Sequence, residues 1–176
     1  HNDDYTSLVT NVHAITVDSN NNIYFTENGD GKIYKVDPSG NLSFIAGSTS
    51  GFQDGFGNIS QFDRPLGIAV NNTGEIFVFD YGKDRIRKID SAGNVSTYAG
   101  DGGKGSTDGI SSSASFNNPK GIALDSNGNL FVADSGNHLI RKIDTNGMVS
   151  TYAGNGSQAD NDGHRFEASF SSPDGV

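Results

Sequence analysis

Short apolar runs alternate with polar turn sequences along the chain. Between residues 67 and 100 the runs GIAV, EIFVFD, RIRKID and VSTYAG are separated by NNTG, YGKD and SAGN. Runs of this length that are rich in Ile, Val, Phe and Tyr, and bounded by Gly, Asn and Asp, predict β-strands joined by tight turns. This segment is therefore predicted to form four antiparallel strands.

The same pattern occurs three times. GKDRIRKID at residues 82–90 is matched by GNHLIRKID at residues 136–144, 54 positions later, and a more divergent unit with GDGKIYKVD at residues 29–37 precedes both. The second predicted strand of the middle unit, residues 76–79, is apolar on both sides, which indicates that both faces of the sheet are covered. Four-stranded meanders that repeat in tandem and stack face to face are typical of β-propeller blades.

One unit also resembles a known repeat family. GIALDSNGNLFVADSGNHLIRKID, residues 121–144, resembles an NHL repeat, and residues 137–139 spell the Asn-His-Leu triplet. The other units depart from the triplet, with Lys-Asp-Arg at residues 83–85 and Asp-Gly-Lys at residues 30–32. The resemblance covers the whole chain and implies an all-β fold, a β-propeller of NHL type with three four-stranded antiparallel blades. It also implies rings of about six blades, of which three would be half.

The phase of the repeat predicts the boundaries of the blades. They are the end of a preceding inter-blade connector at 1–11, blade 1 at 12–64, blade 2 at 65–118, blade 3 at 119–172, and the start of a fourth repeat at 173–176. An open stack of three blades leaves two apolar faces in water, so something must cover them. The predicted partners are the remaining blades of a longer chain, which we favour, or a second copy that completes a two-fold symmetric ring.

Composition excludes several classes of protein. The net charge of −9 disfavours nucleic-acid binding, and the lack of cysteine excludes disulfides and thiolate metal sites. No apolar stretch is long enough to predict a membrane span. A turn-rich, acidic, cysteine-free composition favours an extracellular, cell-surface or periplasmic location over the cytosol.

Residues that recur in every unit are predicted to serve the scaffold. Asp80 with Arg87, and Asp134 with Arg141, recur at the same spacing, which predicts an ion pair within each of these two blades. Asp-Gly pairs recur at residues 54–55, 108–109 and 162–163. We interpret them as loop residues, in which Asp binds nearby backbone amides and Gly adopts a positive φ.

A binding site is expected where the units disagree. In a meander, the connector before the first strand and the turn between the second and third strands lie on one face of the disc, and variation concentrates there. The residues that enter the innermost strands are predicted to line the mouth of a central channel. The candidate partner-binding residues on this face are His13, Glu27, Asp30, Tyr81, Lys83, Asp84, Lys120, Asn137, His138 and Asp174.

Metal sites are not predicted. The resemblance implies that some NHL-like enzymes bind zinc, but zinc catalysis needs about three converging ligands. Only His13 approaches the channel, because His138 belongs to the repeat triplet and His164 to a connector. The acidic stretches at residues 125–130 and 160–167 lack the spacing of a calcium-binding EF-hand loop. No cofactor and no catalytic residue is assigned, with calcium or zinc kept as alternatives.

The predicted function is that of an NHL-type binding or scaffold module, which presents variable loops on one face to a protein or glycan partner. One alternative is a part of a propeller enzyme, of lyase or lactonase type, with a metal in the central channel. Another is a self-assembly unit that pairs through its open blade faces. The sequence favours binding over catalysis and leaves all three open.

Overall fold

The computed structural model describes residues 9–176 and consists of three antiparallel sheets in series. Residues 1–8, which hold most of the predicted end of a preceding connector, lie outside the described residues. We call the sheets blade 1, blade 2 and blade 3. The strands of blade 1 are β1 (Val12–Val17), β2 (Ile23–Glu27), β3 (Lys32–Val36) and β4 (Leu42–Ala46).

Blades 2 and 3 repeat this meander and add a strand to it. Blade 2 contains β5 (Gly55–Phe56), β6 (Pro65–Val70), β7 (Ile76–Asp80), β8 (Arg85–Ile89) and β9 (Asn94–Ala99). Blade 3 contains β10 (Gly109–Ile110), β11 (Ile122–Leu124), β12 (Leu130–Asp134), β13 (Leu139–Ile143) and β14 (Met148–Ala153). Short 3-10 turns lie at Gly57–Ile59, Tyr81–Lys83 and Ser135–Asn137. Within residues 9–176, no helix is long and apolar enough to cross a membrane.

The strand order confirms the predicted four-stranded meander. The sheet orders are β1-β2-β3-β4, β5-β9-β8-β7-β6 and β10-β14-β13-β12-β11. The sequence pattern did not reveal β5 and β10, which pair with the outermost strand of their blade. Each is only two residues long, and it satisfies part of an edge whose backbone groups would otherwise face solvent.

Two apolar layers fill the spaces between the blades. The layer between blades 1 and 2 includes Tyr24, Ile33, Phe62, Ile76 and Val78. The layer between blades 2 and 3 includes Phe77, Phe79, Phe116, Leu130 and Val132. Because blade 2 contributes one face to each layer, its second strand is apolar on both sides, as the sequence predicted.

Three connectors link the blades or follow them. We call residues 47–64 connector 1, residues 100–118 connector 2 and residues 154–172 connector 3. Phe62 and Phe116, from the first two connectors, are fully buried between the blades. The connectors are thus part of the core.

The predicted ion pairs are present in blades 2 and 3. Arg87 Nη1 lies 3.1 Å from Asp80 Oδ2, Arg141 Nη1 lies 2.9 Å from Asp134 Oδ2, and all four side chains are fully buried. Burial raises the pKa of Asp80 to about 6, although the Asp63 amide and the Arg87 guanidinium oppose this rise. Burial also raises the pKa of Asp134. Asp80 is therefore ionised at neutral pH, and its contact with Arg87 is a true ion pair.

The connector aspartates do more than predicted. Asp54 and Asp108 accept hydrogen bonds from Nη2 of Arg87 and Arg141, respectively, so each guanidinium lies between two carboxylates. The interpretation of these aspartates as ordinary loop residues is therefore wrong, because they tie a connector to a strand 33 residues further along. The adjacent Gly55 does adopt a positive φ of 137°, as expected.

Blade 1 replaces this ion pair with aromatic packing. Glu27 and Tyr34 occupy the places of Asp80 and Arg87 in the repeat. Tyr34 stacks on Phe25 with ring centroids 5.5 Å apart, and it meets the edge of Phe44 at 6.0 Å. The Glu27 carboxylate accepts hydrogen bonds from backbone amides of the following turn. The first blade thus lacks a buried guanidinium.

Both outer blades present apolar surface, as expected of an open stack. Ile15 and Val17 on β1 are 64% and 55% exposed, and they share a sheet face with Phe44 on β4. On the far side of blade 3, the rings of Phe131 and Tyr152 pack edge to face at 4.9 Å.

Candidate functional site

The innermost strands of the three blades, β1, β6 and β11, lie next to one another. Gly67 in β6 and Gly121 just before β11 permit this close approach. A Cβ atom on Gly67 would lie 2.3 Å from the Lys120 carbonyl oxygen, and one on Gly121 would lie 2.5 Å from the Asp174 carbonyl oxygen. Since backbone atoms cannot yield easily, only glycine fits these positions. The residues at this end of the inner strands therefore converge.

These residues surround a cavity of about 490 Å³. We call it the channel-mouth site and define it by His13, Tyr81, Lys120 and Asp174, which the sequence predicted to share this surface. Apolar side chains, including Leu66 and Ile122, complete its lining. The site combines side chains from three blades with a residue that follows connector 3, so no single repeat could form it.

Charge at the channel-mouth site is mixed. Lys120 Nζ pairs with Asp174 Oδ1, and the Lys120 and Asp174 side chains are 40% and 73% exposed, respectively. His13 is exposed. The Tyr81 ring is half-buried: it meets the Phe79 ring edge to face at 6.4 Å, and the Arg64 guanidinium lies 5.0 Å from its centroid. The site therefore offers a fixed aromatic ring beside groups of both charges.

An ionic cluster lies beside Tyr81. Asp63 Oδ2 is 3.2 Å from Lys83 Nζ, and Asp63 Oδ1 is 3.3 Å from Arg64 Nε. Burial alone would raise the pKa of Asp63, but its contacts with Lys83 and Arg64 lower it overall. Sequence reasoning missed Arg64. Positions 64, 118 and 172 hold Arg, Asn and Ser, and this disagreement between units could have identified it.

Two other predicted residues join blades to connectors. Asp84 Oδ1 accepts a hydrogen bond from the Asn118 amide at 2.8 Å, and His138 Nδ1 accepts one from the Ser172 amide at 3.1 Å. Both acceptors have left-handed backbone, with φ of 48° and 58°. Equivalent positions in blades 2 and 3 thus make the same bond with different side chains. A role for either in partner binding stays a prediction.

The remaining candidates also make local contacts. The carboxylate of Glu27 is buried and accepts hydrogen bonds from the Gly29 and Asp30 amides at 3.0 and 2.9 Å. Asp30 is exposed and lies 3.0 Å from Lys32 Nζ. Asn137 Nδ2 donates to the Gly105 carbonyl at 2.7 Å and also to Asp134. The structure does not bring these three residues into the channel-mouth site.

The opposite face of the disc is made of repeated turns. The first residue of each turn accepts hydrogen bonds from the amides two and four positions later, which is typical of Asx turns. These residues are Asp18, Asp37, Asn71, Asp90, Asp125 and Asp144. Hydrogen bonds from the Asn94 side chain and backbone lower the pKa of Asp90. These acceptors are already used by their own turns.

The channel-mouth site does not suit a catalytic metal. Among residues 9–176, no three His, Asp or Glu side chains converge as a metal site requires. His13 contributes one imidazole to the site. The Lys120 cation lines the same cavity, and Asp174 already pairs with it. We derive no chemistry through a metal.

The chain matches a family model described as NHL repeat over residues 116–143, which include β11, β12 and β13 of blade 3. This segment of blade 3 is an NHL repeat. NHL repeat-containing protein 2 of Bos taurus is 42% identical over 96 residues, which is 53% of this chain and 13% of that protein. The chain therefore corresponds to a small part of this relative.

Solved structures confirm the β-propeller fold. An auxiliary nutrient binding protein from Bacteroides ovatus ATCC 8483 is 26% identical with a TM-score of 0.65, over 81% of this chain and 38% of that one. A streptogramin B lyase is also 26% identical, with a TM-score of 0.59, over 80% of this chain and 40% of that one. The chain spans about two fifths of the length of each of these proteins, so the three blades correspond to part of a propeller.

Proposed function

We propose that these NHL blades form a binding or scaffold module, and that the channel-mouth site contacts a protein or glycan partner. The observation that carries this proposal is the convergence of His13, Tyr81, Lys120 and Asp174 on one cavity. These are positions at which the repeats disagree. Residues that recur in the blades form the buried ion pairs, whereas these four line a shared cavity and take no part in those pairs.

The composition of the site suits recognition. Tyr81 offers a ring face whose orientation is fixed by Phe79, and aromatic side chains of this kind dominate binding energy at interfaces. Lys120 and Asp174 provide a donor and an acceptor that remain open to solvent. The Tyr81 ring packs on Phe79 and Lys120 pairs with Asp174, so less conformational entropy is lost when a partner binds than with free side chains. A glycan ring or a protein side chain could use the same combination.

The channel-mouth face is a better candidate than the opposite face. The opposite face repeats nearly the same turn six times, and its principal acceptors are bound to their own backbone. The channel-mouth face carries a different set of side chains in each blade. Loops that differ on a constant scaffold are where binding residues are usually found.

The triple substitution His13→Ala, Tyr81→Ala and Lys120→Ala tests this proposal. We expect affinity for the partner to fall about tenfold or more, because the variant removes the aromatic contact and one charge. Binding is measured by interferometry against a panel of purified cell-surface proteins and soluble glycans. His13 and Lys120 lie outside both apolar layers, whereas Tyr81 packs against the layer between blades 2 and 3, so the melting temperature is measured in parallel and a modest decrease is expected.

The matched control is Asn72→Ala with Asn127→Ala on the opposite face, where both residues are exposed. This variant should bind as the unmodified chain does. Unchanged binding by the triple variant, or an equal loss with the control, would show that the channel-mouth site is not the contact surface.

Catalysis is the weaker alternative. The similarity to a streptogramin B lyase makes a propeller enzyme conceivable, but the channel-mouth site holds a single imidazole, and no set of metal ligands forms among residues 9–176. We therefore propose binding in preference to a lyase or lactonase activity.

We also propose that the module works outside the cytosol, in an extracellular, cell-surface or periplasmic setting. An acidic, cysteine-free, turn-rich composition supports this, as does the similarity to a nutrient binding protein. Cell fractionation with an antibody against the chain is the direct measurement.

A further inference from the structure

Connector 1 binds the guanidinium of Arg87, on β8 of blade 2, through a set of groups that we call its receptor. Arg87 Nη1 and Nη2 donate to the carbonyl oxygens of Gln61 and Gln53, both at 3.0 Å, and Nη2 also donates to the Asp54 carboxylate. The guanidinium lies 5.2 Å from the centroid of the Phe62 ring. Phe52 of the same connector lies closer, at 4.6 Å, but it has no aromatic counterpart in connectors 2 and 3. The groups of the receptor that can recur are thus one carboxylate, two carbonyl oxygens and the Phe62 ring.

Connector 2 repeats this receptor for blade 3. Arg141 donates to the Ser115 and Thr107 carbonyl oxygens at 3.0 and 3.1 Å and to Asp108 at 2.6 Å, and it lies 5.4 Å from the Phe116 ring. Both examples use the planar fork of arginine, whose two terminal nitrogens each reach a carbonyl and a carboxylate oxygen. The single ammonium of lysine could not make this set of bonds.

Connector 3 presents the same groups at the same interval of 54 residues. The Asn161 and Ser169 carbonyl oxygens, the Asp162 carboxylate and the Phe170 ring take the equivalent places. All four of these residues line a cavity of about 480 Å³. Among residues 9–176, no side chain donates a hydrogen bond to Asp162.

The backbone of connector 3 has the same arrangement as the occupied receptors. The Ser169 amide donates to the Asn161 carbonyl at 3.1 Å, as the Ser115 amide donates to Thr107 at 3.2 Å. A carbonyl oxygen has a second lone pair, so Asn161 can still accept a guanidinium donor. Arg165 also lines the cavity, but it stacks on the Phe166 and Tyr152 rings, 4.6 and 5.5 Å away.

We propose that connector 3 is a preformed receptor for an arginine on the third strand of a further NHL-type blade. Charge supports this occupant, because the cavity is lined by the carboxylates of Asp160 and Asp162. The two occupied receptors define the chemistry: the partner blade must carry arginine at the position equivalent to Arg87 and Arg141.

A second copy of this chain does not meet that requirement. Its blade 1 would present Tyr34, which packs between Phe25 and Phe44 and has no guanidinium. Pairing of blade 3 with blade 1 of another copy would leave Asp162 facing this aromatic surface without a cationic partner, which is unfavourable for a carboxylate removed from water. The receptor is therefore built for a blade other than the three of this chain.

The substitution Tyr34→Arg tests the inference directly, because it gives blade 1 the missing guanidinium. We expect this variant to self-associate at least tenfold more tightly than the unmodified chain, as measured by sedimentation equilibrium. Addition of Asp162→Asn should reverse the gain. Self-association that does not increase, or an increase that survives Asp162→Asn, would overturn the inference.

A second measurement uses the unmodified fold, in case Tyr34→Arg prevents folding. Methylguanidinium is titrated into the 15N-labelled chain, with methylammonium at the same ionic strength as the control. We expect methylguanidinium to shift the Asn161, Ser169 and Phe170 amides, and Asp162→Asn to abolish the shifts. The Gln61 and Ser115 amides should not move, because their receptors are occupied. Equal shifts with both cations, or none with either, would overturn the inference.

Discussion

Replacement of Arg87 by methionine is expected to lower the free energy of unfolding by about 3–5 kcal/mol at neutral pH. The change leaves Asp80 as an unpaired charge in a fully buried site, and it removes the donors that the Gln53 and Gln61 carbonyl oxygens use. Methionine is close in length and can fill much of the space, so the loss would report the charge and its hydrogen bonds. Urea unfolding followed by circular dichroism measures the effect.

The neighbouring residue provides the control. Lys88 lies on the same strand and pairs with Glu75 at 2.8 Å, but both side chains are 30% exposed. Lys88→Met should cost at most about 1 kcal/mol, because an exposed ion pair gains little over hydration. Similar losses for the two variants would mean that the buried network does not hold connector 1 against blade 2.

Replacement of Phe62 by alanine is the second large effect, with an expected loss of about 3–5 kcal/mol. Phe62 comes from connector 1, yet its ring is fully buried in the layer between blades 1 and 2 and lies beside the Arg87 guanidinium. The shortened side chain would leave a cavity that the rigid strands on either side cannot close. Urea unfolding again gives the change in free energy.

Phe56→Ala is the matched control, since the same connector places this ring at the surface with 56% of it exposed. A change within about 0.5 kcal/mol is expected. If Phe62→Ala were equally mild, the connector would be a surface loop rather than part of the core between the blades.

Features that recur within the chain were predictable from sequence. The Asp80–Arg87 pair could be inferred because Asp134 and Arg141 keep the same spacing of seven residues. That spacing spans a tight turn, so the two side chains lie on neighbouring paired strands. The stacking of blades followed from a second strand that is apolar on both sides. These inferences rest on local geometry, which the repeat makes visible.

Contacts between distant segments were not predictable in this way. The pairing of Asp54 with Arg87 depends on how connector 1 folds back over 33 residues, and no strand period describes such a path. The short strands β5 and β10 were missed because two residues are too few to show any alternation of polar and apolar side chains.

The candidate site was predictable in part. Comparison of the units brought out His13, Lys120 and Asp174, which occupy the equivalent position of successive units and line one cavity. It could not show that Asp84 and His138 accept backbone amides, because their side chains differ while their left-handed backbone is the same. Variation alone therefore does not separate a free side chain from one that serves the scaffold.

Site-specific photo-cross-linking tests the proposed binding surface most directly. A photoreactive phenylalanine analogue replaces Lys120 at the channel-mouth site or, in a separate protein, Asn127 on the opposite face. Each is irradiated with the partner found in the binding panel, and mass spectrometry locates the adducts. The proposal predicts adducts from position 120 and none from position 127. Adducts from position 127 alone, equal yields from both, or none from either would contradict it.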